Sequence, residues 1–78
     1  MDDVCLVYVT ASDQEEAEAI AATAVGARLA ACANILGGIQ SVFFWNGEVQ
    51  RADETALILK TTRDRLDALT ECIQELHA

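Results

Sequence analysis

Apolar positions fall in two rhythms along this chain, and the changes between them outline its elements. Residues 4–10, VCLVYVT, form a nearly unbroken apolar run rich in valine and tyrosine, the pattern of a buried strand. Ser12-Asp13-Gln14-Glu15 follows as a capping box, in which the Ser12 hydroxyl accepts from a first-turn N–H and Glu15 reaches back. Asp13, Glu15, Glu16 and Glu18 then sit near the positive end of a helix dipole. That helix is expected to run to about Leu29, with a narrow face of Ala17, Ile20, Ala21, Ala24 and Leu29 that lets it lie close to a sheet. A second strand is expected over 30–36, AACANIL, with a bend or bulge at Gly37-Gly38 before it resumes at Ile39.

Ser41 to Thr61 holds two strand-forming runs separated by Asn46-Gly47, the pair that best tolerates the positive φ angles of a type I′ hairpin turn. Val49 and Gln50 leave the turn, and Glu54–Thr61 forms the third strand. Thr61 or Thr62 is placed to cap a second helix, whose Leu66, Leu69, Ile73 and Leu76 recur at helical spacing. Asp64, Asp67, Glu71 and Glu75 face away from that stripe.

Strand, helix, strand, strand, helix is the α+β ferredoxin-like order, βαββα, lacking the final strand of βαββαβ. The whole of 1–78 reads as a single domain with a long hairpin between its second and third strands. In that fold the absent strand pairs with the first, so the first strand is expected at an open apolar edge that something must cover. The hairpin raises the same demand. Val42, Phe43, Phe44 and Trp45 make both faces of its first strand apolar, and a chain of 78 residues has little with which to cover them. Phe43, Phe44 and Trp45 are therefore the expected contacts with other copies of the protein.

Charge narrows the partners. With 5 basic and 13 acidic residues the net charge is −8, which disfavours nucleic acid and anionic membranes. A 53% hydrophobic composition without proline argues against disorder. The acidic Met-Asp-Asp start and the short Val4–Val9 run give neither a signal core nor a membrane span, so a cytoplasmic location is expected. Cys5, Cys32 and Cys72 are then expected as reduced thiols.

Little in the spacing points to catalysis. There is no phosphate-binding glycine loop and no nucleophile beside a base, so no enzyme and no required cofactor are expected. A preformed zinc site is disfavoured too, because Cys32 and Cys72 lie far apart and His77 is the only histidine. Cys32 reads first as a core thiol. The alternative is a soft ligand for Cu(I).

The residues also resemble the CutA family, the divalent-cation tolerance proteins. The resemblance is carried by Val7-Tyr8-Val9-Thr10-Ala11, by Arg28-Leu29-Ala30-Ala31-Cys32-Ala33-Asn34-Ile35, and by Ser41 with Phe44-Trp45-Asn46-Gly47. Glu54, Leu57, Lys60-Thr61 and Glu75-Leu76-His77 complete it. Ser12 stands where the family usually has proline, and the family continues past its Leu-His with a segment that this chain, ending at Ala78, lacks. The resemblance implies a homotrimer with strands packed between subunits, a link to copper and other divalent cations, and no established catalytic activity. His77 matches the family's histidine and is the best single candidate metal ligand, with Cys32 beside it as the second. Another reading keeps the fold but makes the chain a trimeric scaffold or a small-molecule sensor, with Arg28 and Lys60 meeting an anion or metabolite at subunit clefts.

Overall fold

The computed structural model describes residues 3–77. Its elements are strand β1 (Val4–Ala11), helix α1 (Gln14–Gly26), strands β2 (Cys32–Trp45) and β3 (Glu48–Thr62), and helix α2 (Leu66–Leu76). A single 3-10 turn, Arg63–Arg65, leads into α2. The strands form one antiparallel sheet in the order β1-β3-β2. β3 is the central strand, and β1 lies at an edge as the βαββα order requires.

Local chemistry sets most boundaries. Asn46 and Gly47 adopt φ angles of 56° and 79°, the paired left-handed conformation of a type I′ turn, with Trp45 opposite Glu48. The glycine pair produces a bulge: Ile35 faces Leu57 and Gly37 faces Ala56, leaving Leu36 as the extra residue. Gly37 itself takes φ 102°, which explains why glycine stands there.

Two expectations are corrected at α1. Asp13, not Ser12, is the cap: its carboxylate accepts from Glu16 N–H at 2.8 Å, while Glu16 Oε1 accepts from Ser12 N–H at 2.8 Å. The box is thus shifted by one residue along the chain. The helix also ends at Gly26, earlier than Leu29, because Arg28 turns left-handed at φ 62° and breaks the helical repeat. Leu29 and Ala30 still donate their amides to the Ala24 carbonyl, closing the end. β2 begins at Cys32 in consequence.

Both helices lie on one face of the sheet. Val9, Ala11, Leu57 and Leu59 from the strands meet Ala17, Ile20 and Ala24 of α1 and Leu69 of α2, all of them buried. The small residues of α1 allow the close approach that the sequence suggested. Leu69 holds α2 in place, with Leu66 and Ile73 half-buried beside it and Leu76 exposed. Leu69→Ala is expected to destabilise the fold by about 2–5 kcal/mol, the usual range for a buried leucine, and Leu76→Ala by much less. Urea denaturation of the two variants checks this ordering.

Candidate functional site

Among the described residues no enclosed centre dominates, and the candidate site is built from surfaces. The first is the sheet face turned away from the helices. Val4, Leu6 and Tyr8 of β1 project there, with Leu6 at 65% and Tyr8 at 60% exposure. Their register partners Thr62, Lys60 and Ile58 continue the face across β3, and Cys32 and Asn34 continue it across β2.

The hairpin prolongs this surface. Ile39 to Trp45 runs beyond the bulge for about 23 Å at the usual strand rise, and the molecule measures 44 Å in its longest dimension. Phe43 lies on the same face as Trp45, while Val42 and Phe44 project to the other. Phe44 is 73% and Trp45 66% exposed, and Val49, the register partner of Phe44, is exposed with it. The expected two-faced apolar strand is thus present, and the described residues leave both its faces open.

His77 occupies a different place. It caps α2, and its Nε2 lies 2.8 Å from the Thr10 carbonyl and 3.9 Å from Glu16 Oε1. The contact ties the end of α2 to the end of β1 and the start of α1. Cys32 is not near it. Thr10 is in register with Ala56, whereas Cys32 is in register with Lys60, a difference of four β3 residues or about 13 Å. Among the described residues no group of three or more His, Cys, Asp or Glu side chains is placed to hold a metal ion. Cys32 also departs from the core-thiol reading: it is half-buried on the open sheet face, outside the cluster packed beneath the helices. Cys5 and Cys72 are half-buried as well, and all three cysteines are free thiols.

The third region lies where α1, β2 and the 3-10 turn meet. Thr62 donates its hydroxyl to Asp64 Oδ1, and this bond, with lesser help from Arg65, holds the Asp64 carboxyl below its ordinary value. A lowered folded-state value favours the folded protein above the unfolded carboxylate value near 4 and loses that effect as pH falls through the folded value. Thr62→Val is expected to raise the Asp64 pKa toward the ordinary value, which a carboxyl-carbon NMR titration reads directly.

The similarities to known proteins cover nearly the whole chain. Residues 5–78 match the family model described as CutA1 divalent ion tolerance protein. Protein CutA 1, chloroplastic, of Oryza sativa subsp. japonica is 44% identical over 72 residues, which are 92% of this chain and 41% of the rice protein. The divalent-cation tolerance protein CutA of Citrobacter koseri is 37% identical over 75 residues, 96% of this chain and 65% of that protein. The chain thus spans less than two thirds of either relative. The periplasmic divalent cation tolerance protein CutA of Archaeoglobus fulgidus superposes with a TM-score of 0.92 at 36% identity, covering 96% of this chain and 72% of that structure.

Proposed function

Since the chain belongs to the CutA1 divalent ion tolerance family, we propose that it is a small non-enzymatic homotrimer whose subunits join through the hairpin and the open sheet face. The observation that carries this reading is the set of exposed large apolar side chains, Val4, Leu6 and Tyr8 at the β1 end of the open face and Phe43, Phe44 and Trp45 on the two faces of the hairpin. Burying one large side chain contributes about 1.5–3 kcal/mol, so half a dozen leave much to gain from association. The two-faced hairpin strand suits an arrangement in which a neighbour covers each side. The open edge of β1 adds backbone donors and acceptors that a further strand would satisfy.

The link to divalent cations takes a particular form here. Cys32 and His77 lie on different parts of the subunit and do not make one preformed centre, so copper or another divalent cation would meet them as separate, weak ligands. Three free thiols accord with a reducing, cytoplasmic setting, although the rice relative is called chloroplastic and the Archaeoglobus one periplasmic. No helix among the described residues is long and apolar enough to cross a membrane.

Replacing Phe44 and Trp45 together with alanine is expected to shift the protein from trimer to monomer at micromolar concentration. Each truncation at an interface hot spot costs about 2 kcal/mol or more. Sedimentation equilibrium checks the shift, and a double variant that remains trimeric removes the hairpin from the interface. For the cations, titration of Cu and Zn into Cys32→Ser and His77→Ala variants is expected to show weakened binding in at least one; unchanged affinity in both excludes these two residues as ligands.

A further inference from the structure

Three of the protein's five lysines and arginines gather at one corner of this acidic molecule. Lys60 and Arg65 border a hollow of about 350 Å³ that is also lined by Val4, Ala31 and Thr62. Arg28 and Arg65 border a second hollow, lined by Val25, Gly26 and Ala30. The two adjoin, because Ala31 and Arg65 belong to both. Elements distant in sequence produce this convergence. The Ala31 amide donates to the Lys60 carbonyl at 2.7 Å, bringing the entry to β2 against the end of β3. Arg65 Nη1 donates to the Arg28 carbonyl at 2.7 Å, fixing the guanidinium over the turn between α1 and β2.

A purely structural role explains part of this cluster. α1 has no basic residue in its last turn, and cations beside its C-terminus offset the helix dipole. That role accounts for Arg28 and for one donor of Arg65. It leaves Lys60 and four of the five Arg65 donors unexplained. No carboxylate among the described residues lies within 4.0 Å of the cationic nitrogens of Arg28, Lys60 or Arg65, whereas Arg63 pairs with Asp3 at 3.1 Å. Asp64 also lines the first hollow, but its carboxylate is engaged by Thr62, and the corner keeps an excess of positive charge.

The geometry points to this corner as a binding site for a small phosphate monoester. A guanidinium held in place by its own hydrogen bond presents the planar fork that suits phosphate oxygens, and Lys60 adds a mobile point charge. The hollow exceeds the needs of a bare oxyanion, and Val4 and Ala31 supply apolar wall for an organic body. The overall charge of −8 opposes anions at long range. At physiological salt, however, charges beyond about 8 Å are largely screened, so the local cations prevail. Every residue of the site belongs to one subunit, and the inference does not rest on metal binding; because Val4, Lys60 and Thr62 also lie on the open sheet face, it requires that this end of the face stay uncovered when subunits join.

Amide NMR titration at constant ionic strength tests it, using adenosine 5′-monophosphate, inorganic phosphate and chloride as probes. The nucleotide is expected to shift the Ala31, Lys60, Thr62 and Arg65 amides saturably, with at least tenfold higher affinity than inorganic phosphate. Lys60→Gln and Arg65→Gln are each expected to weaken binding about tenfold, the effect of 1.4 kcal/mol. Both side chains are exposed, and unchanged resonances away from the corner verify that the variants are folded. Equal affinity for nucleotide and inorganic phosphate overturns the monoester assignment. Linear shifts that chloride reproduces, or affinity unchanged in both variants, overturn the site itself.

Discussion

β3 hydrogen-bonds along both of its edges, to β1 over Val4–Ala11 and to β2 over Cys32–Trp45, and the rest of the subunit hangs on that double pairing. Its Leu57 and Leu59 reach the floor of the core, and its end leads into the turn that starts α2. Because β3 is longer than β1, its far half pairs with β2 alone and extends past the helices as a ribbon. The helices therefore cover one face of the sheet near β1 and neither face of the ribbon. An isolated two-stranded hairpin is at best marginally stable in water. The ribbon's order rests on its continuity with the three-stranded part and on whatever covers its aromatic residues.

Much of this arrangement could be read from residue types whose conformational preferences are local. Asn46-Gly47 marks the turn because few other pairs tolerate two consecutive positive φ angles, and Gly37 marks the bulge for the same reason. The stripe of Leu66, Leu69 and Ile73 locates α2, and the order of elements then leads to the sheet order. Sequence alone does not separate two neighbouring residues that compete for one role. Ser12 and Asp13 are both good caps, and only the folded geometry shows Asp13 accepting from Glu16 while Glu16 reaches Ser12. The end of α1 is not legible in the sequence because Arg28 has no obvious preference for the left-handed conformation it adopts.

The functional surfaces divide along the same line. Phe43, Phe44 and Trp45 were legible as an unmet demand for cover, since consecutive apolar residues on a strand occupy both faces. Cys32 was not, because its face depends on where β2 begins, and a shift of one residue exchanges faces. The convergence of Arg28, Lys60 and Arg65 was only half visible. Arg65 is 37 residues from the carbonyl it binds, and no sequence spacing reports such a contact.

Charge and apolar surface are segregated in a way that bears on association. Asp13, Glu15 and Glu18 belong to the α1 region, and Asp64, Asp67, Glu71 and Glu75 to the turn and α2, all of them exposed. By contrast the part of the open face formed by Val4, Leu6, Tyr8, Ile58, Lys60, Cys32 and Asn34 carries no carboxylate, and its prolongation along the hairpin adds Glu54 and Glu48. Two subunits that approach through their helices meet like charge and are repelled. Two that approach through their sheets meet little repulsion and can bury aromatic and aliphatic surface. The acidity of the protein, uninformative about fold, thus disfavours approach of two copies through their helices more than approach through this part of the sheet face.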